Sequence, residues 1–238
     1  MPPPSEDAEQ LFRISVIIPA LNEQAAIGRC IQAARASLPD AEILVVDGAS
    51  MDRTVETAHE FRAVRVIESP RGRALQMNAG ASAAQGDVLL FLHADVQLPP
   101  TARSLIAKAL SNPAVVGGAF RTWTVSDTPS ALEPLLHLAD LRSRYSSLPY
   151  GDQAIFVRAA IFRQLQGFPE QSLMEDLEFS EKLRSVGRVQ ILPASVRVSG
   201  RRFLAHPIRY FALLNLFPLL YRLGVSPARL AQWYGNPR

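Results

Sequence analysis

The chain has 238 residues, enough to bury a substantial core as one large or two small domains, and 48% of it is apolar, as in a globular protein. A net charge of +3 without a polybasic block argues against a nucleic-acid-binding surface, and a single cysteine, Cys30, excludes an internal disulfide and any multi-cysteine metal site. The start PPPSEDAEQ is unlike a signal peptide and there is no run of about twenty apolar residues, so the expected compartment is the cytoplasm.

Residues 1–11 read as a disordered tail. Residues 14–18 read as a buried strand stopped by Pro19, and Asn22 is placed to cap a helix whose apolar face is Ile27, Cys30, Ile31 and Ala34. Residues 43–46 form the next strand, ending in Asp47-Gly48, with Ser50 or Asp52 capping the helix that follows. A strand over 64–67, a small-residue-rich helix over 72–84 and a strand from Val88 to Leu92 continue the alternation, which predicts a parallel, doubly wound sheet in the first half. Neither a dinucleotide-type glycine fingerprint nor a phosphate-binding Gly-Lys-Ser/Thr loop is present.

Beyond a helix over 101–110 the pattern loosens. Strands are expected over 117–125 and 153–157, with a helical, arginine-bearing stretch over 129–147 between them. A helix over 175–186, short strands over 189–192 and 196–198, and apolar helical segments over 207–223 and 227–234 complete the chain. The reading is α/β: one domain with a parallel half and a mixed half.

Three constellations carry chemistry. Asp47 ends a strand beside a glycine, where its carboxylate can receive two hydrogen bonds from a base edge or a ribose; a helix-capping loop explains it equally simply. His93, Asp95 and Gln97 alternate after a buried strand, so in an extended chain they point one way, and a carboxylate with an amide oxygen suits Mg2+ or Mn2+. Asp176 follows Glu175 at a helix start, on the face of Phe179 and Leu183, as either a cap or a working base.

The runs SVIIPALNE from Ser15, VVDGASMDRT from Val45, Asn78-Ala79-Gly80, and Gly86-Asp87 leading to His93-Ala94-Asp95 together resemble the family-2 inverting glycosyltransferases of GT-A fold, over about residues 13–200. The resemblance is nearest to a small bacterial branch found beside radical-SAM and selenium or arsenic-sugar genes. It implies a nucleotide-binding half over 12–98, an acceptor half over 99–200 and a C-terminal helical segment over 201–238. It also implies that Pro19, Leu21 and Glu23 line the nucleotide pocket, that Asp47 reads the base, and that Arg71 or Arg73 meets the diphosphate. Asp95 matches the second acid of the family's Asp-x-Asp motif and would ligate the ion, with Gln97 as an extra ligand, while His93 replaces the first acid. Asp176, preceded by Glu175, matches the general base. Gly151 and Asp152 match the loop flanking the acceptor. Arg201 and Arg202, with Phe203, fall near a basic–aromatic motif over the diphosphate, or are a solvated basic pair.

The expected partners are a nucleotide-sugar donor, UDP-linked first, and an acceptor hydroxyl, a lipid-linked one among the candidates. The segment 208–223 is a core helix, an interfacial anchor or a dimer contact. The competing functions are a sugar-phosphate nucleotidyltransferase, which the Pro-Ala-Leu-Asn-Glu end of the first strand disfavours, and a non-catalytic nucleotide-sugar-binding or membrane-associated protein.

Overall fold

The computed structural model describes residues 12–126, 136, 137, 140, 148–205 and 207–235, with the backbone alone described at 202 and 207–214. Four strands build the first half: β1 (Ile14–Ala20), β2 (Glu42–Asp47), β3 (Val64–Glu68) and β4 (Val88–Phe91). Helices α1 (Ile27–Ser37), α2 (Thr54–His59) and α3 (Arg73–Ala83) connect them, so β1 pairs in parallel with both β2 and β4, and β2 with β3. A two-residue strand β5 (Val96–Gln97), helix α4 (Ala102–Leu110) and the long strand β6 (Val115–Val125) lead into the second half. There β7 (Ile155–Arg158), α5 (Ala159–Gln164), α6 (Glu175–Val186) and β8 (Arg188–Ser199) are followed by α7 (Arg201–Ala205), α8 (Pro207–Arg222) and α9 (Pro227–Tyr234). All eight strands share one sheet in the order β3-β2-β1-β4-β7-β6-β8-β5, with β7 antiparallel to both β4 and β6.

The apolar runs of β1, β2 and β4 are buried on both faces, as strands covered by helices on either side must be. Val16, Ile18, Ile43, Val45, Val88 and Leu90 enter one core, shared with α1 and α4. Ile17, Leu44, Val46, Leu89 and Phe91 enter the other, shared with α3, α5 and α6. The predicted face of α1, including Cys30, lies in the first core, and burial pushes the Cys30 thiol far up from its ordinary value. In the second core Phe91, Phe162, Phe168 and Phe179 pack ring to ring, the closest centroids 4.4 Å apart.

Several local readings are corrected. Asn22 does not cap α1: it has φ 54°, and its Oδ1 accepts the Met51 N–H at 2.8 Å, tying two loops together. Ser50 accepts the Asn22 N–H instead of capping α2, whereas Asp52 does accept the Thr54 N–H at 3.0 Å at that helix's start. Gln153 belongs to a single turn of 3-10 helix, Gly151–Gln153, and β7 begins after it. The two short strands expected over 189–198 are one, β8, whose register against β6 shifts between Ile191 and Ser195. Pro193 lies in that interval and has no N–H for the ladder, so the strand continues past it by an irregularity rather than ending. The short helix α5 escaped prediction because it buries only Ala159 and Phe162. The helical reading of 129–147 and the tail reading of 1–11 lie outside the described residues, apart from 136, 137 and 140.

Candidate active site

Between β1 and β4 the chain connections turn to opposite sides of the sheet, and open α/β sheets hold ligands at the carboxyl ends of such strands. A cleft opens there, with Pro19, Leu21, Glu23, Arg73, His93 and Asp95 among its walls. Gln76 of α3 braces its floor, its Nε2 donating to the carbonyls of Ala20 and Val46, both at 2.8 Å. Asp47 stands opposite Ala20 in register; its Oδ2 accepts the Ser50 N–H at 2.9 Å, and its Oδ1 is buried without a hydrogen-bond partner. A buried acceptor in that state costs about 1–3 kcal/mol, which an incoming N–H or O–H donor would recover.

From the second half, the start of α6 brings two acids to the same place. Glu175 is 2% exposed, and its Oε1 lies 3.3 Å from Arg73 Nη1. Burial pushes the Glu175 pKa up; Arg73 opposes that, and the neighbouring Asp176 adds to it. Burial would lower the Arg73 pKa, but the charges of Glu175, Asp176, Tyr234 and Asp95 outweigh it and leave it raised. Asp176 is fixed by two backbone donors, the Gly151 N–H to Oδ2 at 2.7 Å and the Leu177 N–H to Oδ1 at 2.8 Å. Gly151 is a true close approach: a Cβ there would stand 2.8 Å from His93 Nε2 and 3.2 Å from Asp176 Oδ2. The bare glycine therefore lets the histidine and the aspartate flank the same point.

The alternation of His93, Asp95 and Gln97 does not run through an extended strand. The Val96 N–H returns to the His93 carbonyl at 3.0 Å, closing a turn before β5. His93 and Asp95 consequently line the main cleft, while Asp95 and Gln97 line a neighbouring one. Among the described residues no three His, Cys, Asp or Glu side chains gather as a metal site. The donor set still fits Mg2+ or Mn2+, which at phosphate sites take one or two carboxylates and complete their shell with phosphate oxygens and water. Asp95 would supply the carboxylate and Gln97 an amide oxygen. A protein cation already stands nearby: Arg201 Nη2 contacts Glu23 Oε2 and lies 3.8 Å from Asp95 Oδ2.

Pro19, Leu21, Glu23, Arg73 and Asp95 thus meet in one cleft, and Gly151, Glu175, Asp176 and Arg201 adjoin it. Arg71 is exposed in the turn before α3 and Asp152 is half-buried in the 3-10 turn; the side chain of Arg202 lies outside the described residues. Sequence reasoning missed Gln76 and also Thr54, whose Oγ1 accepts the Glu23 N–H at 2.7 Å. A polar residue between Ala74, Met77 and Gly80 on the inward face of α3 was the available signal for Gln76.

Residues 15–164 match the family described as Glycosyl transferase family 2. Among curated proteins, the chain is 30% identical to the undecaprenyl-phosphate 4-deoxy-4-formamido-L-arabinose transferase of Salmonella paratyphi A, covering 97% of this chain and 73% of that one. It is 26% identical to a Bacillus subtilis protein named "Probable glycosyltransferase YdaM", over 80% of this chain. It spans 51% of the length of that relative. Among solved structures, residues 1–349 of TarS from S. aureus in complex with UDP-GlcNAc superpose with a TM-score of 0.64 at 19% identity, covering 79% of this chain and 58% of that one. A mannosyltransferase from Pyrobaculum calidifontis, in complex with GDP-Man and Mn2+, gives 0.64 at 22% identity, with 94% and 68% covered. These likenesses establish the α/β architecture as that of the GT-A glycosyltransferase structures.

Proposed function

The chain belongs to glycosyl transferase family 2, and on that premise we propose that it moves a sugar from a nucleotide-diphosphate sugar, UDP-linked first, to an acceptor hydroxyl in one inverting displacement. The observation that carries this reading is that Arg73 and Asp95 share one cleft with His93, and Asp176 adjoins it across Gly151 from that histidine, although they come from three distant parts of the chain. Pro19, Leu21 and Glu23 border the nucleoside, and the buried Asp47 Oδ1 accepts from the base. Arg73 faces the diphosphate, joined by Arg201 when the donor's negative charge draws it from Glu23 and Asp95. Asp95 and Gln97 would hold Mg2+ or Mn2+, which when bound would supply positive charge to the departing diphosphate.

Asp176 takes the acceptor's proton. The acceptor oxygen bonds to the anomeric carbon, the bond from that carbon to the diphosphate oxygen breaks, and the nucleoside diphosphate leaves from the opposite face. Two backbone N–H donors hold the Asp176 carboxylate in place while leaving it lone pairs for the proton. Glu175 fixes Arg73, and Gly151 with Asp152 borders the acceptor.

We also read the chain as one domain with a nucleotide half and an acceptor half, and as a cytoplasmic enzyme that meets a lipid-linked acceptor at the membrane face. The Salmonella relative, named for an undecaprenyl-phosphate substrate, supports the acceptor class. Assignment to the radical-SAM-associated branch rests on sequence resemblance alone.

A panel of nucleotide sugars with Mn2+ or Mg2+, read by thermal shift and nucleotide release, tests the donor, since a bound donor stabilises the fold by mass action. Asp176→Asn is expected to lower transfer by about 10²–10⁴-fold while nucleotide binding persists. Asp95→Asn should remove the metal-dependent part of that binding. An Asp176→Asn enzyme that turns over at the parental rate overturns the assignment of the base.

A further inference from the structure

From Asn215 onward, where its side chains are described, helix α8 has two apolar faces. One packs inward: Phe217 is buried, and with Leu220 and Tyr221 it joins Leu230 and Ala231 of α9 and Leu173, Met174 and Leu177 around the start of α6. The contact is pinned by Tyr221, whose hydroxyl donates to Glu178 Oε2 at 2.7 Å, and by Arg222, whose guanidinium donates to Glu181 at 3.1 Å. The other face looks outward. Leu216, Leu219 and Leu223, spaced three and four apart, are 47%, 54% and 72% exposed, and Trp233 of α9 is 54% exposed. Four of the seven large apolar side chains exposed among the described residues therefore lie in this helical pair or, for Leu223, on the residue that follows α8.

Charge identifies the occupant. Residues 207–238, which build α8 and α9, hold four Arg and no Asp or Glu, and Arg222 among them pairs with Glu181. A symmetric contact would set like-charged surfaces against each other, a repulsion that disfavours a second copy here. An anionic lipid surface is complementary, and exposed leucines with a tryptophan beside arginines are the chemistry of an interfacial helix. Among the described residues no helix is long and apolar enough to cross a membrane, so such a surface would lie on the bilayer rather than span it.

We propose that the outward face of α8 and α9 docks onto an anionic bilayer. The inward face of the same helices buttresses Leu173, Met174 and Leu177, so docking brings the segment that presents Asp176 close to the lipid headgroups. The docking itself does not depend on the transfer reading.

The test uses the full chain with phosphatidylcholine vesicles, with and without phosphatidylglycerol. Co-sedimentation is expected with the phosphatidylglycerol vesicles, weakening as salt is raised. In a Trp123→Phe background, which leaves Trp233 as the reporter, tryptophan emission should shift to the blue on vesicle addition. The exposed double variant Leu219→Ser, Leu223→Ser should lower partitioning by about tenfold or more while leaving donor-induced thermal shifts unchanged. Absence of co-sedimentation at low salt overturns the proposal, as does wild-type partitioning by the double variant. A Trp233 shift that follows protein concentration without lipid also overturns it, in favour of a second copy. Because partitioning is read without any sugar transfer, a failed donor screen leaves this result standing.

Discussion

Arg73 faces three carboxylates, and the one it touches, Glu175, is the most deeply buried of them. Because burial raises the Glu175 pKa above its ordinary 4.5, the folded protein holds that proton more tightly than the unfolded chain does. Ionisation therefore costs the fold increasingly as pH rises above the unfolded value, and the cost levels off once the folded pKa is passed. Glu175→Gln removes that titration, so its stability relative to the parent should improve as pH climbs from about 4 towards neutrality. Urea midpoints measured across that range check it; a parent that gains on the variant with rising pH would mean that the pair with Arg73 outweighs burial. At this scale the sequence was a partial guide. Glu175 beside Asp176 at a helix start was legible, since helical spacing is local. Its partner, 102 residues earlier, was not, because no local pattern encodes a contact made by strand order.

Helix α3 shows what an element can hide. Its Asn78-Ala79-Gly80 run is part of the family resemblance, yet the roles found there are architectural. Asn78 exchanges two hydrogen bonds, both 2.9 Å, with the backbone of Phe168, fixing the loop that carries the aromatic core towards α6. Gly80 lets the helix settle on the sheet: a Cβ there would stand 2.5 Å from Ile17 and 2.9 Å from Val46, both fully buried. Gly80→Ala gains about 1 kcal/mol of helix propensity but overpacks a closed core by about 1–3 kcal/mol. A fall of a few degrees in the thermal midpoint is expected, and Gln76, one turn earlier, should lose its grip on the Ala20 and Val46 carbonyls, weakening donor binding as well. Calorimetry with a nucleotide titration separates the two effects. The helix was legible from its small residues; what they were small for required the opposite surface.

At the scale of the molecule, one sheet runs through both halves, joined where β4 and β7 pair antiparallel across four register positions. With all eight strands in one sheet, unfolding is expected as one cooperative transition, in which tryptophan emission, that of Trp123 in β6 included, and far-ultraviolet circular dichroism coincide in denaturant. Separated transitions would reveal two independently stable halves. The parallel half was readable because strands buried on both faces appear as unbroken apolar runs joined by short helices. In the mixed half the elements were largely readable but their pairing was not, because β6 pairs with β8 and β7 from far along the chain. Pro193 broke the pattern of β8 without ending the strand.

The contact of Arg201 with Glu23 and Asp95 has a consequence for the order in which the molecule is made. Glu23 and Arg201 are 178 residues apart, so during synthesis the acids of the cleft leave the ribosome long before the guanidinium that bridges them. The parallel half must then assemble while the two carboxylates repel each other, and helix α7, which follows the last strand, brings the relief with it. A chain clipped after Ser199 would keep Arg73 but lose the second guanidinium of the cleft, leaving Glu23 and Asp95 without their shared cation where a diphosphate must enter.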